Sequence, residues 1–156
     1  MRAVLFLAVL AIASSAALAD FTGRVVKVAD GDTLTVLVKK QVRVRLDGID
    51  APESRQAFGK RSRQSLAALC AAKDARVVKR GKDRYGRTIG VVTCAAVEPN
   101  SEQVRRGMAW VFVRYAPASS PLYGLECTAR AARARALVGS LAGCAVGVSN
   151  SYTGLE

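Results

Sequence analysis

The run Val42-Arg43-Val44-Arg45-Leu46 alternates apolar and basic residues without a break. A strand turns successive side chains to opposite faces, so this segment has one apolar face and one that carries Arg43 and Arg45 together. Such a pattern fits a sheet with one buried and one wet side. Upstream, Val26 and Val28 lead into an Asp30-Gly31 turn, and Thr33 to Val38 is β-branched and leucine-rich. The stretch from Gly23 to Leu46 therefore reads as strands joined by tight turns.

Residues 57–72 change period, with Leu66, Leu69 and Cys70 at i, i+3, i+4 spacing on the buried side of a helix. Two further strands, Ala75–Arg80 and Arg87–Cys94, are joined through Gly81–Gly86. Asn100 and Gln103 resemble a capping box that opens a short helix ending at Gly107. Trp110, flanked by Val111 and Phe112, reads as core. A last helix, about Leu122–Leu137, carries Leu122, Leu125, Ala129 and Ala132 on one side. Five strands with a helix after the third, and about three helices in all, predict an α+β fold: a five-stranded OB-type barrel, often used to bind oligonucleotides.

The chain ends are of a different kind. Arg2, the apolar run Ala3–Ala13 and Ala17-Leu18-Ala19 before Asp20 form a signal peptide over residues 1–19, its apolar run shorter than the ~20 residues of a membrane span. A secreted or periplasmic protein is expected, with one folded domain over residues 20–137 and a loosely ordered Gly-, Ser- and Ala-rich tail over residues 138–156. Outside the cytosol the four cysteines are expected to pair. Three pairings are possible; the one expected joins Cys70, at the end of a helix, to Cys94 on a strand and leaves Cys127 with Cys144. Zinc is a poor fit, since the chain has no C-x-x-C pair and no histidine.

A formal charge of +12 favours polyanions. Against that background, five of the 12 acidic residues (Asp30, Asp32, Asp47, Asp50 and Glu53) crowd into one stretch. Four patches follow in order: Asp30-Gly31-Asp32-Thr33, then Arg45, then Asp50-Ala51-Pro52-Glu53, then Asp83-Arg84-Tyr85-Gly86-Arg87. Alone, each is an ordinary turn or loop. Together they set carboxylates beside arginines, the combination that metal-assisted cleavage of a phosphodiester needs. With no histidine available, water must be activated by a carboxylate, a metal, or both.

In this ordered set the chain resembles the thermonuclease family, the staphylococcal-nuclease-like Ca²⁺-dependent endonucleases, from about Phe21 to Leu137. The resemblance implies Asp32, Asp50 and the Ala51 carbonyl as Ca²⁺ ligands, a set of hard oxygens suited to that ion. It implies Glu53 as the acid that positions or deprotonates water, and Arg45 and Arg87 as the arginines that fork onto the scissile phosphate. Arg84, Tyr85 and Tyr115 are implied as substrate-binding residues. Asp30 is assigned mainly to its turn, with a supporting contact to the calcium loop, and Asp47 to a strand end. The activity implied is sugar-nonspecific cleavage of DNA and RNA to products with 3′-phosphates, by a monomer with no stable protein partner. Two rivals stand beside it: a catalytically inactive OB-fold nucleic-acid-binding module, and a basic protein binding anionic envelope polymers. The chain departs from the family at Ala51, where a threonine is frequent, at Val113, where a second tyrosine is frequent, and after Leu137.

Overall fold

A computed structural model describes the backbone over residues 20–138 and side chains through Arg133. The signal peptide expected over residues 1–19, the tail from residue 139 and Cys144 lie outside the described residues. Val138, assigned to the tail, is instead the last residue of a helix.

Three strands come first: β1 (Phe21–Val28), β2 (Thr33–Leu37) and β3 (Gln41–Leu46). A two-residue β4 (Ile49–Asp50) precedes helix α1 (Gly59–Cys70). Strands β5 (Asp74–Lys82) and β6 (Thr88–Cys94), helix α2 (Pro99–Arg105), a two-residue β7 (Trp110–Val111) and helix α3 (Leu122–Val138) complete the described chain. Strands β1-β2-β3-β6-β5 close into a barrel, with β1 antiparallel to β5 and β3 parallel to β6. The expected five-stranded OB-type barrel is the observed fold. The expectation for Val42–Leu46 also holds: Val44 and Leu46 are buried, while Arg43 is exposed and Arg45 half-buried on the other face.

The barrel is filled by Val25, Leu34, Val36, Val44, Leu46, Val77 and Val92, and α1 adds Leu66 and Leu69. Each fully buried side chain of this size stabilises the fold by about 1.5–3 kcal/mol relative to its exposed state. The Cys70–Cys94 disulfide, with Cα atoms 5.3 Å apart, ties the end of α1 to β6 as expected. Cys127 is disulfide-bonded as well; its expected partner is the undescribed Cys144.

Two expectations fail. Trp110 is 39% exposed, because β7 pairs with β4 in a two-stranded sheet separate from the barrel and turns Val111 inward instead. Asn100 and Gln103 form no capping box; the residue before α2 is Glu98, and no side chain caps its end. Both amides are buried staples. Asn100 accepts from the Val92 N–H at 3.1 Å and donates to the Asp47 carbonyl at 2.9 Å. Gln103 Nε2 donates to the carbonyls of Gly31 at 2.8 Å and Ser62 at 3.1 Å, fastening α2 to the β1–β2 turn and to α1. Burying an amide without such partners costs several kcal/mol, so these contacts fix where α2 sits.

Candidate active site

The β1–β2 turn sets the first acid. The Ala29 N–H donates to the Thr33 carbonyl, and Gly31 packs so closely on α1 that an added Cβ would fall 1.7 Å from Ser62 Oγ. Asp32 follows with only 5% of its surface exposed. Asp30 is held away from it: Ser54 donates to Asp30 Oδ1 from its N–H at 3.2 Å and its Oγ at 2.6 Å. That bond ties the turn to the loop after Glu53, the supporting role expected for Asp30.

Thr33 and Arg45 are cross-strand partners on β2 and β3. Arg45 Nη2 donates to Asp50 Oδ1 at 2.7 Å and lies 3.4 Å from Asp32 Oδ2, so one guanidinium faces two carboxylates. Asp50 is presented by the β4–β7 pair, in which it sits opposite Trp110. The Phe112 N–H donates to the Gly48 carbonyl, bringing the Phe112 ring to 5.5 Å from the Arg45 guanidinium carbon. Phe112 in turn meets Tyr115, with ring centroids 5.1 Å apart.

The fourth patch builds a second arginine. Asp83 Oδ1 accepts from the N–H groups of Tyr85 and Arg87, both at 2.9 Å, and Oδ2 accepts from Arg87 Nε at 2.6 Å. Arg87 Nη1 reaches Thr33 Oγ1 at 3.4 Å, and Thr33 Oγ1 donates to Asp32 Oδ1 at 2.8 Å. Tyr85 is exposed, with the guanidinium carbons of Arg84 and Arg87 at 4.8 and 5.6 Å from its ring centre. Arg84 donates to its hydroxyl at 2.6 Å.

Arg45, Asp50, Glu53, Arg84, Tyr85, Arg87 and Tyr115 thus line one cleft of about 500 Å³. Asp32 lies behind it, reached through Arg45 and Thr33, and the Ala51 side chain is buried beside Gly31. All nine residues singled out in the sequence meet in one region. The cleft also takes Asp83, Phe112 and Arg114, for which the sequence reading had no role. Among the described residues, the Glu53 carboxylate is exposed and makes no hydrogen bond or ion pair.

Burial dominates Asp32 and pushes its carboxyl up; Arg45 and Thr33 pull it down, Asp50 raises it further, and it settles at about 6. Partial burial opposes the charge on Arg45, but Asp32 and Asp50 outweigh it and hold the guanidinium above its ordinary range. Burial also works against Asp83, yet the bonds from Arg87 and Tyr85 keep its carboxyl below the usual range.

These residues fit a divalent cation. Two carboxylates crowd each other around a single positive charge, one of them at a cost the protein does not fully offset. The donors are all oxygen, the chemistry of a hard ion. Among the described residues no three acidic side chains converge on one point. A bound ion would therefore draw on Asp32 and Asp50, and on water, substrate or backbone oxygens for its other ligands, among which the family resemblance implies the Ala51 carbonyl.

The staphylococcal nuclease homologue family matches residues 43–137. A micrococcal nuclease of Shigella flexneri is 46% identical over 137 residues, covering 81% of this chain and 79% of the relative. A protein called ParB from Escherichia coli is 46% identical over 144 residues, covering 85% and 81%. An uncharacterized endonuclease of Haemophilus influenzae is 48% identical over 104 residues, covering 65% and 57%.

Proposed function

From the premise that the chain belongs to the staphylococcal nuclease homologue family, we propose that it is an exported, calcium-dependent, sugar-nonspecific endonuclease acting on DNA and RNA. Membership makes it a nuclease, a hydrolase of phosphodiester bonds. Calcium, the range of substrates, the 3′-phosphate products, the individual residue roles, export by the 1–19 segment and a monomeric state are our reading.

The observation that carries it is the position of Arg45 and Arg87 on one cleft with Glu53, in front of the Asp32–Asp50 pair. A phosphodiester in that cleft meets two forked donors whose orientations are fixed, Arg45 by Asp50 and Phe112 and Arg87 by Asp83. Preorganised donors of this kind stabilise the charge that builds on the phosphoryl oxygens in the transition state. When bound, Ca²⁺ supplies further positive charge at the phosphate. Glu53, exposed and without a partner, accepts the proton of the attacking water as it moves onto phosphorus. The bond to the 5′ oxygen breaks, that oxygen leaves with a proton taken from solvent, and the 3′-phosphate remains. Tyr85 and Tyr115 offer ring faces to a splayed base, which favours single-stranded or frayed substrate.

The test is digestion of heat-denatured DNA by protein from Asp20 onward, with calcium or with a chelator, beside Glu53→Ala. Calcium-dependent cleavage that drops by roughly 10²–10⁴ in the variant is expected. Tight binding of DNA without cleavage by the folded wild type would favour an inactive binding module instead.

A further inference from the structure

A second basic surface lies outside the active cleft. Two adjoining hollows between β1 and α1, of about 440 and 500 Å³, share Lys27, Val28 and Arg63 and so form one groove. Lys60 stands at one end and Arg24 at the other. Among the described residues, Lys27, Lys60 and Arg63 are exposed and engage no hydrogen bond or ion pair. Arg24 faces Asp74 at 4.0 Å, but both are largely exposed, and such a pair is worth little. The one acid in the groove, Asp30, has its Oδ1 occupied by Ser54.

The groove is continuous with the active site. Ser54 lines it and the neighbouring Glu53 lines the catalytic cleft, so the two surfaces meet at that loop. From Arg24 to Asp30, β1 and its turn extend about 20 Å, the length of a few nucleotides. No aromatic side chain lines the groove, which leaves the sugar-phosphate backbone, not the bases, as the feature it can engage.

Resting on the nuclease reading above, we propose that the β1–α1 groove, through Lys27, Lys60 and Arg63, holds the phosphates of a single-stranded substrate beyond the scissile bond. The site is sequence-independent and matters only for strands long enough to reach it.

The test compares wild type with the triple variant Lys27→Gln, Lys60→Gln, Arg63→Gln on a single strand of about 30 nucleotides and on a trinucleotide, shorter than the ~4 nucleotides of the smallest OB-fold sites. The expected result is a fall in kcat/KM on the order of ten-fold for the long strand and none for the trinucleotide. In chelator, the salt slope of long-strand binding should drop by about 2. Equal loss on both lengths, or no loss on either, would overturn the groove while leaving the nuclease standing. If wild type cleaves neither substrate, the nuclease reading fails, and binding of the long strand still decides the groove: weaker in the variant supports it, unchanged overturns it. Loss of binding to phosphatidylglycerol vesicles with the long strand unaffected would assign the surface to lipid and overturn the proposal.

Discussion

Arg45 stands between Asp32 and Asp50, 2.7 Å from one oxygen of Asp50 and 3.4 Å from one of Asp32. It is thereby a structural counter-charge, in addition to the phosphate-donating role proposed for it. Lysine keeps the charge but not the fork, so Arg45→Lys cannot grip Asp50 and a phosphate together. We expect kcat to fall on the order of 10²–10³ with the fold intact. Arg87→Lys should behave likewise, since it loses the Nε bond to Asp83. Near-normal rates from either, measured under saturating calcium and DNA, would remove the bidentate role.

The burial of Asp32, which raises its carboxyl, destabilises the fold when that carboxylate is charged. Its carboxyl titrates at about 6, above the ~3.9 of an unfolded chain, so the folded state binds that proton more tightly. The contribution of this one group to stability is therefore full below about pH 4 and is lost as pH rises through 6, about 3 kcal/mol in all. In chelator, Asp32→Asn should lose this decline and exceed wild type in stability at pH 8; with calcium added it should lose activity. Urea unfolding of both proteins from pH 4 to 8 reads the difference between them, and a difference that did not change with pH would contradict the cost.

Asp83 is expected to act on the chemistry through Arg87, whose side chain it holds. Its side chain is 92% covered and accepts three bonds within its own turn. Asp83→Ala should cost about 1–3 kcal/mol of stability and lower kcat while KM changes little, because Arg87 stays in the cleft but loses its orientation. Its titration has the opposite sign to that of Asp32. The carboxyl is held below its ordinary value, so its contribution is present above about pH 4 and is lost as pH falls. Equal losses in kcat and KM would point to substrate binding instead of positioning.

The sequence made the barrel legible because its strands alternate and its turns carry Asp-Gly and Gly. It made the acids legible because they stand out in a basic chain, and the arginines because the ordered set of patches resembles a known family. What it hid has physical reasons. A two-residue strand has no period, so the β4–β7 pair left no signal, and Trp110 was read as core when its register turns it outward. Asn100 and Gln103 carry the spacing of a cap, but only the fold brings Asp47, Gly31 and Ser62 within their reach. Phe112 and Arg114 enter the cleft from beyond α2, a distance no local pattern encodes.

Gly31 supports the acid beside it through the space it leaves empty. An added Cβ would lie 1.7 Å from Ser62 Oγ and 2.9 Å from Ala51 Cβ. Ser62 cannot easily retreat, because its hydroxyl donates to the Met108 carbonyl at 2.6 Å, and the Gly31 carbonyl is held by Gln103. The strain of Gly31→Ala must then move the turn that carries Asp32 or the loop that carries Ala51. Overpacking of this kind costs about 1–3 kcal/mol, while a displacement of ~1 Å in an active site costs on the order of 10²-fold in rate. The loss of nuclease activity should therefore exceed what the loss of folded protein explains. Gly81→Ala, where nothing lies within 4 Å of the added carbon, is the matched control and should leave melting temperature and rate near wild type. If Gly31→Ala lost stability alone, with the rate per folded molecule unchanged, the turn would be a packing element and would have no part in placing the two carboxylates.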